Sequence, residues 1–236
     1  MNGNDLGLDQ LGLKNLNNVH RNLPAKELVD DIVENGEGVV GLRGAAMVDT
    51  GIYTGRSPKD KYIVDEPSSS DKIWWGPVNR KISEDIFNTL YEKVVDYYNS
   101  AYGSKTYIFD GFAGADPNYS LNVRIIAKKA WQAHFVHNMF IRSENGELKD
   151  FKPGFTIINA SDVTNENFEE FGMNSETFIL FHMEKRLAII GGTEYGGEMK
   201  KGIFSVLHYL LPQKGVLSMH CSANVYEDSR NPAIFF

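Results

Sequence analysis

The segment LAIIGGTEYGGEMKKGIFSVLHYLL, residues 187–211, joins an apolar run to a periodic apolar pattern through a glycine-rich turn. Its first four residues are apolar, which predicts a buried strand over residues 187–190. Residues 198–211 are predicted to form a helix that follows the Tyr195-Gly196-Gly197 turn and ends before Pro212. Strand, turn and helix in this order are typical of an α/β fold, in which helix N-termini often bind anions.

The rest of the chain repeats this mixture of short apolar strands and helices. Pro24 and Ser83 carry signals preferred at helix N-termini, and a further helix is predicted over residues 129–139. Other strands are predicted at 39–42, 45–48, 61–64, 106–109, 121–126, 155–158, 177–183, 216–225 and 233–236. The sequence therefore predicts an α/β architecture, preceded by residues 1–23 as short helices or a loosely held arm.

The composition is that of an ordinary globular protein of 236 residues, with 42% hydrophobic and 12% aromatic residues. This length suits one large domain or two small ones. The net charge of −7 argues against a nucleic-acid partner. The single cysteine, Cys221, excludes an internal disulfide and favours a reducing compartment. Because the N-terminus is polar and the apolar runs are short, we expect a cytoplasmic protein with no membrane partner.

Arg56 lies in the loop TGRSPKDK, residues 54–61, between a glycine and a Ser-Pro pair. A glycine before an arginine lets a ligand approach the backbone, and a planar guanidinium suits a carboxylate or a phosphate. The alternative is a surface turn with solvated basic residues, and the residues of this loop leave both interpretations open.

Lys200 and Lys201 follow four glycines in GGTEYGGEMKKG, residues 191–202. A strand-to-helix junction of this kind is where α/β folds place anion sites. The segment is not a P-loop, because Glu198 and Met199 stand where a P-loop has Lys and Ser or Thr, and it has no Gly-x-Gly-x-x-Gly fingerprint. The alternative is a glycine-rich turn with an exposed lysine pair.

His220 and Cys221 are adjacent in SMHCSAN, residues 218–224, on a predicted strand. Neighbouring strand residues point to opposite faces, so these two side chains do not suit one metal ion. The residues alone favour a buried histidine and a buried, apolar cysteine. His134 and His137 lie three apart on a predicted helix, where the surrounding aromatic residues favour a core face over a metal site.

Four segments taken together resemble the ATP-dependent phosphoenolpyruvate carboxykinase family. They are residues 50–61, 130–135, 191–202 and 218–224, in the order and at about the spacing of that family. The resemblance runs from about residue 40 to the last residue. It implies the α/β fold of the family's N-terminal domain, a mixed β-sheet flanked by helices.

The resemblance implies a lyase of gluconeogenesis, a decarboxylase that converts oxaloacetate and ATP to phosphoenolpyruvate, ADP and CO2. It also implies Mg²⁺ with the nucleotide, Mn²⁺ at a second site, and a monomeric complete enzyme. The implied partners are oxaloacetate or phosphoenolpyruvate, CO2 and ATP, with no nucleic acid and no membrane.

The resemblance also implies roles for five residues. Arg56 matches a catalytic arginine that binds the substrate carboxylate and CO2, and Tyr195 matches a tyrosine beside the substrate. Lys201 matches a catalytic lysine that ligates Mn²⁺ and contacts substrate and nucleotide, and Lys200 matches its catalytic basic neighbour. His220 matches another ligand of that ion beside the nucleotide, which replaces its interpretation as a buried histidine. A lysine ligand must be neutral, which burial and nearby positive charge favour.

In the family a P-loop follows a short apolar strand, which residues 233–236 would be, and this sequence ends there. We therefore expect residues 1–215 to be the N-terminal substrate-binding domain and residues 216–236 the first strands of the nucleotide-binding domain. On that expectation the chain alone has no turnover, binds Mn²⁺ weakly or not at all, and can self-associate through an exposed strand edge.

Three alternatives stay open. They are a non-catalytic binding module for small dicarboxylates or phosphorylated acids, a structural or interaction domain, and part of a GTP-dependent carboxykinase. Codons after Phe236 for Gly-x-x-Gly-x-Gly-Lys-Thr-Thr would favour the enzyme, whereas a natural stop codon would favour the binding module.

Overall fold

The computed structural model describes residues 6–101, 103–143, 148–227 and 231–236. The α-helices in these ranges are α1 Ala25–Glu34, α2 Glu84–Ser100, α3 Ala130–Met139 and α4 Gly197–Gln213. The strands are β1 Val19–Arg21, β2 Gly38–Val40, β3 Ala46–Val48, β4 Lys61–Val64, β5 Arg80–Ile82, β6 Thr106–Ala113, β7 Leu121–Ala127, β8 Ile141–Arg142, β9 Phe155–Ala160, β10 Phe178–His182, β11 Leu187–Gly191, β12 Ser222–Val225 and β13 Pro232–Phe235.

Nine of the described strands form one mixed sheet, in the order β1-β6-β7-β9-β11-β10-β4-β5, with β8 paired to β6. The pairs β1–β6, β7–β9, β9–β11, β10–β4 and β4–β5 are parallel. The pairs β6–β7, β6–β8 and β10–β11 are antiparallel. The predicted α/β fold with a mixed β-sheet flanked by helices is therefore confirmed.

The central strands are buried on both faces, and alternation along each strand assigns side chains to two cores. Ile125 of β7 and Ile157 of β9 belong to the core that α4 covers, to which that helix contributes Met199. Their chain neighbours Ile126 and Ile158 belong to the core on the opposite face, against α2 and the N-terminal segment. Helix α4, which carries the lysine pair, thus lies on one defined face of the sheet.

Several local predictions are confirmed at the residues that carry the signal. Helix α2 begins after Ser83, whose hydroxyl accepts a hydrogen bond from the backbone N–H of Ile86 at 3.3 Å. Helix α4 differs from its prediction, because it continues through Pro212 to Gln213. A proline lacks the backbone N–H, so it removes one hydrogen bond of the helix. In the last turn this loss is tolerated, because few further helical hydrogen bonds follow.

Over its described part the N-terminal segment forms a short 3-10 helix, Leu8–Leu11, which is one of the two forms expected for residues 1–23, and it is not a loosely held arm. Leu8, Leu13 and Leu16 are buried in the core beside α2, and β1 pairs in parallel with β6. These leucines supply enough apolar surface to dock the segment onto the core. The sequence does not indicate this docking, because the segment has no sustained hydrophobic periodicity. Residues 1–5 lie outside the described part of the chain.

The predicted strand over residues 216–225 is wrong for its first half. Only Ser222–Val225 is extended and paired, in an antiparallel two-stranded sheet with β13. The partner strand is only four residues long, so it leaves residues 216–221 without a ladder. His220 and Cys221 therefore precede the strand, and the argument that they point to opposite faces does not apply. Cys221 is half-buried, not buried.

Across the described ranges, no helix combines the length and the apolar character needed to cross a membrane.

Candidate functional site

The loop that carries Arg56 is anchored at its end by Asp60. Asp60, at its end, is buried and accepts hydrogen bonds from Ser57 Oγ, from Asn174 Nδ2 at 2.9 Å and from Ser175 Oγ at 2.9 Å. Arg56 itself is exposed. The sequence therefore builds a fixed loop that presents one guanidinium to solvent.

Glu198 joins this loop to the N-terminus of α4. Its Oε1 accepts the backbone N–H of Ser57 at 2.6 Å, although the two residues lie 141 positions apart. Burial raises the pKa of the Glu198 carboxyl, against the opposing effects of the Ser57 N–H and of the cations Arg56 and Lys61. Sequence reasoning missed Glu198, and its only local signal is an acidic residue in the first turn of a helix.

The glycine-rich turn before α4 is packed too closely for larger residues. A Cβ at Gly196 would lie 3.0 Å from Phe135 Cδ1, and a Cβ at Gly197 would lie 2.3 Å from Tyr195 Cε1. The half-buried Tyr195 therefore rests its ring against the backbone at the start of the helix, and its N–H donates to Thr193 Oγ1 at 3.1 Å. Glycine at these positions lets the turn, the tyrosine and α3 approach one another.

Lys201 and His220 are in direct contact. Lys201 Nζ lies 3.0 Å from His220 Nε2, and both side chains pack on Phe204 of α4. A second link, 2.6 Å between His208 Nδ1 and Ser218 Oγ, holds the segment before His220 against the same helix. His220 is exposed, so its interpretation as a buried histidine from the residues alone is wrong.

The charges of the loop and of the helix act on each other. Partial desolvation lowers the pKa of Lys201, and the positive charges of Arg56 and Lys200 lower it further. Burial lowers the pKa of Lys61, and Arg56 adds to that effect. Arg56, Lys61, Lys200 and Lys201 thus form a cationic cluster, with Glu198 as the buried acid between loop and helix.

A cavity of about 370 Å³ opens beside this cluster. Lys200, Lys201 and His220 line it together with Phe204 and apolar residues from β6 and α3. Arg56 and Tyr195 are not among the described residues that line it. The structure therefore brings Lys200, Lys201 and His220 to one wall and leaves Tyr195 at the start of α4. Arg56 acts on Lys201 through its positive charge.

The donor set at this wall suits a divalent ion with nitrogen ligands. Lys201 Nζ and His220 Nε2 are separated by 3.0 Å, close enough for one ion to contact both nitrogens. Within the described ranges, no group of three or more His, Cys, Asp or Glu residues could hold a metal ion. Lys201 and His220 would thus be two ligands of an ion that needs others.

The other histidine pair does not join this site. His134 and His137 of α3 are half-buried, and burial lowers the pKa of both imidazoles. The buried residues of that helix are Ala130, Trp131, Gln132, Ala133 and Val136. The pair therefore borders a core face without belonging fully to it.

Comparison with known proteins gives consistent matches along this chain. A family model described as phosphoenolpyruvate carboxykinase matches residues 17–236. The protein named "Phosphoenolpyruvate carboxykinase (ATP)" of Leptospira biflexa serovar Patoc is 54% identical over 98% of this chain and 42% of its own length.

Two further relatives carry the same printed name. The protein of Sulfurimonas denitrificans is 49% identical over 97% of this chain and 43% of its own length. That of Campylobacter lari is 49% identical over 98% of this chain and 43% of its own length. The chain therefore spans less than half the length of the curated relatives it matches.

Proposed function

The chain belongs to the ATP-dependent phosphoenolpyruvate carboxykinase family, and on that premise we propose that it supplies the substrate-binding part of such an enzyme. The proposed reaction is the decarboxylation of oxaloacetate and the phosphorylation of the product by ATP, giving phosphoenolpyruvate, ADP and CO2. Its place is gluconeogenesis. The observation that carries the proposal is the cluster of Arg56, Lys200 and Lys201 with His220 at 3.0 Å from Lys201 Nζ.

The cationic cluster suits a substrate that carries two carboxylates. In the proposal Arg56 binds one carboxylate through its planar guanidinium and stays beside the CO2 that leaves. Breaking the carbon–carbon bond leaves its electron pair on an enolate, whose oxygen becomes negative. Lys200 places positive charge where that oxygen forms, which stabilises the transition state more than the ground state, whereas Lys201 is assigned as a neutral metal ligand.

The enolate oxygen then attacks the γ-phosphoryl group of ATP, and ADP leaves with the bridging oxygen. Such a transfer depends mainly on positioning and charge neutralisation. We assign Lys201 and His220 as ligands of the second divalent ion, Mn²⁺, with Mg²⁺ accompanying the nucleotide; a bound ion there supplies Lewis-acid charge to oxygens that become negative. Tyr195 is assigned a position beside the substrate, and Lys201 and His220 contacts to the nucleotide.

The proposed division of the chain is residues 1–215 for the substrate-binding domain and residues 216–236 for strands of the nucleotide-binding domain. Two observations support it. The strands β12 and β13 pair only with each other in the described structure, and Val225, Ile234, Phe235 and Phe236 expose apolar surface. Residues 216–221 nevertheless contact α4, which would place His220 beside the lysines from across the boundary.

The test is oxaloacetate-dependent ADP formation by the whole product of the gene that encodes these residues. We expect activity that falls at least about 100-fold in Arg56→Ala, because a charge-stabilising contact is worth that much. Lys26→Ala, which removes an exposed cation paired with Asp30 on α1, is the control and should keep the activity. A whole protein that binds phosphoenolpyruvate without forming ADP would instead be a binding module.

A further inference from the structure

A cavity of about 680 Å³ lies away from the proposed active site. Arg124 of β7 and Thr156 of β9 line it, and they alternate with Ile125 and Ile157, which face the core under α4. Since successive strand residues point to opposite faces, this cavity opens on the face of the sheet opposite Lys200 and Lys201.

Two arginines at this cavity share one carboxylate. Asp110 is fully buried, and its two oxygens accept Arg124 Nε and Nη2, each at 2.7 Å. Arg21 donates Nε to the same carboxylate at 2.8 Å and Nη2 at 2.6 Å. The side chains of Arg21 and Arg124 are 11% and 4% exposed, so among the described residues the triad carries one net positive charge in a largely desolvated place.

The two guanidinium groups also have N–H groups that do not donate to Asp110. Besides Asp110, Arg21 donates to the Leu148 carbonyl at 3.4 Å and Arg124 to the Leu6 carbonyl at 2.6 Å. Each guanidinium has five N–H donors. On each arginine two of them donate to Asp110 and one to a backbone carbonyl, which makes three. Two N–H groups on each have no partner among the residues that the structure describes.

The rest of the cavity wall adds both charge and apolar surface. Among the described residues of the lining, Lys149 and Lys152 stand against one further acid, Asp150. The ring of Phe151 lies 5.8 Å from the guanidinium carbon of Arg21 and 6.0 Å from that of Arg124. A cavity with excess positive charge, fixed planar donors and an aromatic wall suits an anionic molecule with an apolar part.

We propose that this Arg21–Arg124 cavity binds a small metabolite bearing carboxylate or phosphate groups. The ligand supplies the negative charge that Asp110 alone does not, and it accepts from the N–H groups of both arginines that have no partner in the described part of the chain. Its body packs on Phe151 while the lysines contribute longer-range attraction. The site is separate from the proposed substrate site and lies on the other face of the sheet.

The test is calorimetric titration of the 236-residue chain with citrate and, separately, with inorganic phosphate, at fixed ionic strength. The reference protein carries Arg56→Gln and Lys200→Gln, so that anions at the proposed active site do not contribute. We expect saturable binding of at least one probe, which also separates the two classes of ligand. In this reference, Arg21→Gln should weaken binding at least tenfold, and Lys26→Gln, which removes a remote exposed charge, should leave it unchanged.

A second variant guards against loss of the fold. Lys152→Glu reverses a charge at the cavity wall without touching the buried triad, and it should also weaken binding at least tenfold. Circular dichroism establishes which variants are folded, and only the affinities of the folded variants are used to judge the proposal. The proposal is overturned if neither probe binds saturably, or if the folded variants at the cavity bind as tightly as Lys26→Gln.

Discussion

Glu198 is the residue on which the geometry of the proposed site depends most. Its carboxylate accepts the Ser57 N–H at 2.6 Å, and the residue as a whole is 5% exposed. Glu198→Ala should lower the free energy of unfolding by about 1–3 kcal/mol, because the Ser57 N–H loses a buried acceptor. Urea unfolding at neutral pH measures this change.

The matched variant Glu198→Gln separates the hydrogen bond from the charge. Its side-chain carbonyl can still accept the Ser57 N–H, and no ionised group remains to be desolvated. Because burial raises the pKa of Glu198 in the folded state, the ionised form costs stability at neutral pH. We expect Glu198→Gln to equal or exceed the original stability; a loss as large as that of Glu198→Ala would refute this account.

At the scale of elements, the N-terminal segment is part of the fold. Leu13 is 1% exposed in the core beside α2, whereas Leu42 is fully exposed. Leu13→Ala should therefore lower the free energy of unfolding by about 2–4 kcal/mol, the usual cost of a large-to-small change in a core. Leu42→Ala should change it by less than about 0.5 kcal/mol. Equal effects in urea unfolding would mean that the segment is not docked.

Elements with strong local signals could be predicted from the sequence, and elements that depend on partners could not. Strand β4 has its predicted bounds and α2 begins at its predicted cap, because an apolar run and an N-cap act locally. Strands β1, β5 and β8 are two or three residues long and carry charges, so only their neighbours in the sheet define them. For residues 216–221 the error is the reverse, because the sequence predicts a strand that the structure does not form. The pattern there is strand-like, but no neighbouring strand pairs with it.

The same division applies to the candidate site. Glycine-rich and basic segments indicated Arg56, Lys200 and Lys201, and the family resemblance added Tyr195 and His220. Their roles stay predictions. The bond between Glu198 and Ser57 joins residues 141 positions apart, so no local pattern reveals it.

At the scale of the whole molecule, the histidines should make stability depend on pH. Burial is the main cause that lowers the pKa of four of them from 6.5, namely His20, His134, His137 and His208. The unfolded chain then binds more protons than the folded chain at and below this value. Stability is therefore full above about pH 6.5 and falls as the pH drops towards the lowered values.

Urea midpoints measured between about pH 7.5 and pH 5.5 check this direction. The midpoint should fall with pH, and His208→Asn should reduce that slope, because this imidazole is partly buried and near the charges of His220 and Lys201. An unchanged or rising midpoint at the lower pH would show that the histidines do not control stability in this range.

The central claim is that α4, the Arg56 loop and His220 form one site for an acidic substrate and a divalent ion. The most direct test is paramagnetic broadening in NMR spectra of the 236-residue chain by substoichiometric Mn²⁺ with phosphoenolpyruvate, since broadening detects weak binding. We predict that the amides of Ser57, Lys201 and His220 broaden first, and that His220→Ala abolishes this while His134→Ala does not. Broadening elsewhere, or broadening that survives His220→Ala, would contradict the claim.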